Sequence, residues 1–474
     1  MTRFLFVALI ATFPIFTNAQ EKWSLQQCVA FAIKNNISVK QADVQARLSK
    51  ITSQQSDAST YPSLTGNVNS AYQRGLTENP TTGTLIDQSF ITGNTNVQIG
   101  YSLFTWGARK NNIAANKLLQ KADELGIEKA QNDIALFVSN AFLQVMLRRE
   151  QARISEVQMN QSRSQLGNMR KLVKAGSQPE LSAIQIEAQL AKDSSNLLQA
   201  QSLIQQAMIN LRGTMNIDFN TPFEIFTPEI EKIPIDNITD LQPEMVYNMA
   251  LNTQPIQRMY KWRLEAGSMQ IKAARASMYP DVSAFGGLNT RVINSKFPTG
   301  VILPAENTGA FVVVNGSKID VLAPSFQQTG QAGIPLGRQI KNNFGQSLGL
   351  SINFSVFNNF NARTQWERAK IGIVQTKLQQ DQENLTLKTN IYNAYQDAYA
   401  SLQKYNATLR TVDYSQKAFD MSKKRLENGL LSTLDYIITQ NNLYLAQIES
   451  VSNRYDYIFK MKVLEFYKGQ GIKL

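Results

Sequence analysis

The sequence predicts a mainly α-helical chain with a β-barrel portion. It reads as a duplication in which each half joins a β-hairpin to a very long helical hairpin. Three observations carry this. Passages in the two halves align at constant offsets. In each half, segments of strict apolar–polar alternation precede a proline-free run of about 65 residues. Beyond the N-terminal segment, no window holds the roughly 18 consecutive apolar residues that a membrane-crossing helix needs.

The duplication is read from matched landmarks. Ala32-Ile33-Lys34-Asn35-Asn36 corresponds to Ala250-Leu251-Asn252-Thr253-Gln254, and Tyr61-Pro62 to Tyr279-Pro280, both at an offset of 218. Leu103-Phe104-Thr105 corresponds to Val356-Phe357-Asn358 and Ala175-Gly176 to Asn428-Gly429, both at an offset of 253. The difference of 35 falls between Pro280 and Phe357, so one segment of the second half grew while the rest kept its length. Surface loops tolerate such growth.

The N-terminus reads as an export signal. Arg3 supplies a positive charge, Phe4 to Phe16 an apolar run too short to span a bilayer, and Thr17-Asn18-Ala19 a small-x-small cleavage site. The expected order is then a signal peptide at 1–19 and a first repeat at 20–212. That repeat holds a helix, a β-hairpin at 62–105 and a helical hairpin at 107–212. A Pro-rich linker at 213–242 follows. The second repeat, 243–474, holds a helix, a β-hairpin at 281–358 and a helical hairpin at 361–468.

In the strand segments Val97, Ile99, Tyr101 and Leu103 alternate with Asn96, Gln98, Gly100 and Ser102. Leu348, Leu350, Ile352, Phe354 and Val356 alternate with small polar residues. One apolar face and one uncharged polar face suit a barrel with lipid outside and water inside. Polar loops are expected at Gly75 to Gly93 and at Thr290 to Phe344. Four strands cannot close a barrel, and an open edge in lipid leaves backbone groups unsatisfied, so several chains must contribute. The long helical runs are Ala108 to Lys174 and Ala362 to Asn428, returning through Leu181 to Leu211 and Leu434 to Tyr467. Ile391, Tyr395, Ala398, Leu402, Tyr405 and Leu409 follow coiled-coil spacing. Gly176 and Gly429 mark the turns.

Composition narrows function. Among 474 residues there is no histidine and a single cysteine, Cys28, which removes the commonest general base and metal ligand and any intrachain disulfide. No G-x-S-x-G, H-E-x-x-H or P-loop pattern occurs. The chain is read as no enzyme, with no catalytic residue, metal site or cofactor. The net charge of +12 is spread among Gln, Asn and Glu along helices, without blocks of like charge. A solvated helix surface explains it, and nucleic acid is not an expected partner.

Taken in order, these elements resemble the TolC family of outer-membrane efflux proteins. The resemblance rests on Trp23-Ser24-Leu25-x-x-Cys28-Val29-x-x-Ala32 with Asn35-Asn36 and on the Tyr-Pro before each half's first strand. It rests further on Phe104-x-Trp106-Gly107-x-Arg109 and Gly429-x-x-Ser432-x-Leu434-Asp435. It implies a homotrimer, a 12-stranded transmembrane β-barrel with four strands per chain, and a trimeric periplasmic α-barrel of coiled-coil hairpins. It implies the outer membrane of a Gram-negative cell, extending into the periplasm. The duct would be the passive exit of a tripartite efflux pump or type I secretion system. Its partners would be outer-membrane lipid, a periplasmic adaptor (membrane fusion) protein and an inner-membrane pump of RND, ABC or MFS type.

The resemblance also assigns residues. Asp435 matches the family's periplasmic gate, with Glu180 nearby; Ser182 is its first-half counterpart, and Ile438 stands where a second acid is found in a relative. Helix capping is the competing reading of Asp435. The adaptor-docking turns would be Gly176, Ser177, Gly429, Leu430 and Ser432. Near them Arg148, Arg149, Arg153, Arg163, Arg170, Lys171 and Lys174 form a basic cluster, explained by the helix dipole or by contact with an acidic adaptor. Tyr101, Phe104, Trp106, Phe357 and Phe360 would form an interfacial aromatic belt or simply pack the junctions. A structural or adhesive coiled-coil envelope protein is the alternative function.

Overall fold

A computed structural model describes residues 22–78, 85–226, 236–294 and 296–469. The expected signal peptide at 1–19 and linker residues 227–235 lie outside them. The elements follow in order: α1 (Leu25–Asn35), α2 (Ile37–Ala58), β1 (Ser63–Glu78), β2 (Leu85–Phe104), α3 (Ala108–Lys174), α4 (Glu180–Met215), α5 (Pro243–Thr253), α6 (Pro255–Ala276), β3 (Asp281–Ile293), β4 (Lys296–Val314), β5 (Ser317–Gly333), α7 (Leu336–Asn342), β6 (Gly345–Asn353), α8 (Asn361–Glu427) and α9 (Thr433–Lys468). Each half contributes helices of 11, 22, 67 and 36 residues in that order. The duplication is therefore preserved to the residue in every helix that the halves share. Among the described residues no helix is long and apolar enough to cross a membrane.

Two compact units form. Of the described residues, the helical unit takes those within Met1–Ser53, Ala115–Gly267 and Ile371–Leu474, and the strand unit those within Gln54–Ala114 and Ser268–Lys370. In the helical unit α1 begins on a capping box: Ser24 accepts from the Gln27 N–H, and the Gln27 side chain accepts from the Ser24 N–H. Trp23, just before it, forms a parallel bridge with Ile225 and packs edge-on against Phe31 and Phe223. At the other end of α1 the Asn36 amide donates to the Thr214 carbonyl at 2.8 Å, holding α1 to the end of α4. Cys28 is fully buried in the core that α1 shares with α3 and α4, and burial pushes its thiol up to about 12.

Among the described residues three larger cores run along the long helices, and a smaller one joins Ala122 of α3 to Met259 and Tyr260 of α6. Val138, Phe142, Met146, Leu211 and Met215 fill the one around α1. Val246, Ile391, Ala398, Met461 and Leu464 pack α5 against α8 and α9. Leu166, Met169, Ile186, Phe419, Leu426 and Tyr436 join α3, α4, α8 and α9 near their turns. The linker is shorter than expected. α4 runs through Gly213 to Met215, and Asn216 ends it in a left-handed conformation. Its last described part is held on α9: the Asp236 N–H donates to Glu465 at 3.0 Å, and Lys468 pairs with the Asp236 carboxylate at 3.0 Å.

In the strand unit β1, β2, β3 and β6 form one antiparallel sheet in the order β1-β2-β3-β6. The register places Leu64 opposite Ile99, Ile99 opposite Gly286 and Gly286 opposite Leu348. One face therefore collects Leu64, Val68, Tyr72, Val97, Ile99, Leu288, Leu348, Leu350 and Ile352. The other carries mostly Ser, Thr, Asn, Gln and Gly.

Two expected loops are corrected. β1 and β2 pair continuously out to Glu78 and Leu85, so strand replaces most of Gly75 to Gly93. Gly93 there is a close-approach site, not a turn: a Cβ on it would lie 2.8 Å from the Val292 side chain. Thr290 to Phe344 is likewise no loop. It holds β4 and β5, a separate two-stranded hairpin turning at Asn315 (φ 51°) and Gly316 (φ 81°), and α7. Two successive positive φ angles are what a tight I′ hairpin turn requires. The Gln339 side chain of α7 accepts from the Ile293 N–H at 2.7 Å and donates to the Ile293 carbonyl at 2.9 Å. It thus covers the edge of β3 beyond its last pair with β6. β6 itself ends at Asn353, short of the alternation expected to Val356.

A buried ion pair anchors the end of α9. Lys462 and Glu465 lie 2.7 Å apart with side chains 3% and 6% exposed. Replacing Lys462 with Met leaves a buried carboxylate and is expected to cost about 3–5 kcal/mol. Lys462→Met/Glu465→Leu should recover most of that loss. Thermal unfolding of the solubilised protein checks it, and a single-variant loss below about 1 kcal/mol would contradict the assignment.

Candidate functional sites

Both helical turns are built alike. The Ser177 N–H donates to the Leu172 carbonyl at 3.0 Å and the Gly176 N–H to Val173 at 2.9 Å. At the second turn Leu430 donates to Arg425 at 2.8 Å and Gly429 to Leu426 at 3.0 Å. These paired bonds define a Schellman motif, and the glycines take the left-handed φ it needs, 74° and 70°. The turns then diverge. Ser432 caps α9, accepting from the Asp435 N–H at 3.1 Å, and its hydroxyl donates to the Asp435 carboxylate at 2.7 Å. Pro179 stands at the matching position before α4 and supplies no side-chain bond. Asp435 and Glu180 are exposed, whereas Ser182 is buried. The capping reading of Asp435 is thus realised in the hydrogen bonds of this chain.

The basic residues divide: Arg170, Lys171 and Lys174 lie at the end of α3 beside the Gly176 turn, and the others lie farther back along the helix. Arg149 donates to the Ile225 carbonyl at 3.2 Å and pairs with Glu224, and Arg153 pairs with Glu150, far along α3 from Gly176. Arg170 lies nearer the turn and pairs across to Glu187 on α4 at 3.0 Å.

Between the helical hairpins lies a polar seam that sequence reading missed. Ser162 of α3 donates to Asp193 of α4 at 2.6 Å, and Gln189 donates to the other Asp193 oxygen at 2.9 Å. Gln440 of α9 donates to Ser162 at 3.1 Å, and Asn441 exchanges bonds with Gln189 at 2.9 and 3.3 Å. Asp193 is 1% exposed. Burial, the largest influence, lifts its carboxyl above the usual range, against the Ser162 and Gln189 bonds and the nearby Lys192 charge. The signal was available in the sequence. Asp193 falls on the three-four spacing of Ser182, Ile186 and Gln189, where a coiled coil expects an apolar residue.

At the first strand-to-helix junction the chain reverses at Trp106 (φ 50°) and Gly107 (φ 82°). The Trp106 indole donates to the Pro280 carbonyl at 2.6 Å, meets Phe104 edge-on at 5.1 Å and lies tilted against Tyr279 at 5.2 Å. Arg109 donates to the Ser102 carbonyl at 2.8 Å and sits over the Tyr101 ring, so Tyr101 belongs to this latch and not to the Trp106 cluster. At the second junction Phe357 and Phe360 meet edge-on at 5.6 Å, with Asn359 and Phe360 at positive φ. Tyr279 is the aromatic that sequence reading left out of the junction.

The chain matches the family model described as outer membrane efflux protein over residues 30–216 and 321–467. No curated protein sequence matches it significantly. Solved structures share its fold at low identity. A structure of CusC, described in terms of transmembrane channel formation, aligns with TM-score 0.72 at 15% identity, over 97% of this chain and 96% of that one. The CmeC outer membrane channel of Campylobacter jejuni aligns with TM-score 0.71 at 15% identity, over 95% and 86%. The outer membrane protein VceC of Vibrio cholerae aligns with TM-score 0.70 at 16% identity, over 95% and 97%.

The polar seam yields a pH prediction. A carboxyl raised in the folded state contributes stability below its unfolded value of about 3.9, and that contribution is lost as pH rises through the folded value. Asp193→Asn removes the penalty at neutral pH while keeping a hydrogen-bonding side chain. The variant should melt at or above the wild-type temperature near pH 7, with its advantage vanishing near about pH 4. Circular dichroism melts in detergent measure this; parallel pH profiles for the two proteins would contradict it.

Proposed function

The chain belongs to the outer membrane efflux protein family, and we propose that three copies assemble into the exit duct of a tripartite efflux pump or secretion system. It is an outer-membrane efflux channel protein and a passive conduit, not an enzyme. One observation carries the finer reading. The four-stranded sheet leaves Leu64, Val68, Leu348, Leu350 and Ile352 at 64–91% exposure on one face, and its outermost strands β1 and β6 run in opposite directions. An apolar face of this kind suits lipid. Opposite-running edges allow β6 of one copy to pair with β1 of the next without breaking antiparallel order, so that no backbone edge faces hydrocarbon. Three copies give the family's twelve strands.

In this assembly the helices line a periplasmic α-barrel. The turns at Gly176-Ser177 and Gly429-Leu430, with Ser432, dock a periplasmic adaptor that links the duct to an inner-membrane pump. Asp435 forms a threefold acidic ring at the closed end, with Glu180 beside it. Phe104, Trp106, Phe357, Phe360 and the Tyr101–Arg109 pair lie at the periplasmic membrane face. The Schellman turns and the Ser432–Asp435 cap support these roles by holding the turn backbone and the acid in fixed positions.

Single-channel recording in planar bilayers tests the reading. The wild-type protein should conduct poorly and be blocked by multivalent cations. Asp435→Ala should raise conductance several-fold or weaken the block. Unchanged conductance and block remove the gate assignment. Absence of conductance in both proteins favours the structural envelope role.

A further inference from the structure

The polar face of the four-stranded sheet has one feature that neither a water wall nor a lipid seal explains. Between Asp281 and Arg291, the two charged residues that bound the stretch on β3, this face carries no charge, and its side chains are Ser, Thr, Asn, Gln and Gly with a single exception, Phe285. Both cross-strand partners of Phe285 are glycines, Gly100 on β2 and Gly349 on β6. The ring occupies the room that a side chain at Gly349 would fill: a Cβ there would lie 2.6 Å from Cζ and 2.9 Å from Cε1 of Phe285. One ring face is thus seated on bare backbone. The side chain remains 36% exposed, so the ring keeps an accessible surface.

Phe285 borders a concavity of about 760 Å³ whose other walls include Gln98, Ser102, Ser283, Ser351 and Gln55, with no charged side chain among its lining residues. That volume falls in the range of small-molecule sites. A rigid aromatic surface rimmed by neutral hydroxyls and amides is matched by a flat, uncharged molecule with polar atoms at its edge. Stacking on the ring covers its apolar face, and the rim groups replace water at its polar atoms.

We propose that Phe285 and the hydroxyl and amide groups around it form a stacking station for uncharged, planar, heteroaromatic molecules on the inner wall of the duct. The station rests on the duct reading above, which turns this face toward the lumen, and each assembly holds three.

Caffeine is a suitable probe, being planar, neutral and soluble, with glucose as a neutral non-aromatic control. Both are applied at equal concentration from the barrel side to the wild-type channel or to Asp435→Ala, whichever conducts. Caffeine should reduce mean current or produce resolved interruptions several-fold more than glucose. Phe285→Ala and Phe285→Leu should reduce its effect to that of glucose while leaving the unit conductance measurable; the leucine keeps apolar volume without the ring and guards against a folding loss. Equal effects of caffeine and glucose on the wild type overturn the station, as does a caffeine effect that survives both substitutions. A channel that conducts but ignores caffeine leaves the duct reading intact. No conductance in any variant removes the duct and the station together.

Discussion

A β-strand carries hydrogen-bonding groups along both edges, and in hydrocarbon the protein itself must satisfy them. Much of the strand unit is arranged around that constraint. β2 is paired on both sides from Thr92 to Gly100, and β3 from Val282 to Asn289. Where β6 runs out, Gln339 reaches from α7 and supplies one acceptor and one donor to Ile293, replacing the missing strand with a side chain. β1 and β6 are left with an open side within the chain. Pairing the middle of both internal strands while leaving the outer edges of β1 and β6 open is the pattern of a sheet made to be continued. It makes the proposed assembly a condition of membrane insertion, since a closed ring is what leaves no edge in lipid.

The helical unit solves a different problem. Long two-helix hairpins with apolar seams can slide past one another by a turn at little cost, and a buried polar contact penalises the wrong register. The seam of Ser162, Gln189, Asp193, Gln440 and Asn441 does this between α3 and α4 of one half and α9 of the other. Although helix lengths repeat between the halves, this chemistry does not: the position 253 residues after Asp193 is Ala446. Equal lengths preserve the architecture, and the unequal seam makes the two hairpins distinguishable partners. Asp193 contributes this selectivity against the cost of its own burial, which explains why its carboxyl is raised and not lowered.

What was legible in the sequence divides along the same physical line. Periodicity identified the long helices, because a proline-free run ended by glycine leaves few alternatives; Ala108 to Lys174 is one helix and Gly176 its turn. Alternation located β1, β2, β3 and β6. The hairpin of β4 and β5 was missed, although Asn315-Gly316 between Val312-Val313-Val314 and Ile319 is a strong turn signal. Its Pro, Gly and Gln content suggested loop, and strand pairing with three register shifts overrides that local preference. β4 also lies outside the segments matched by the family model, so the resemblance gave no guidance there. Contacts such as Trp106 to Pro280 and Phe285 to Gly349 join residues 174 and 64 positions apart, and no local pattern encodes them. The Asp435–Ser432 bond was legible as a competing reading because it is local.

On the proposed duct, the capping bonds of Asp435 are compatible with the gate role. A gate made from a symmetric ring of carboxylates works only if each is held in position, since a freely rotating side chain spreads its charge and dilutes the field at the axis. The Ser432 hydroxyl holds one carboxylate oxygen and the Asp435 N–H returns a bond to that hydroxyl, so the cap restrains the rotamer. The wall of the sheet on that duct is uncharged between Asp281 and Arg291. The interaction that begins α9 also fixes its third residue, Asp435, at the closed end of the proposed duct.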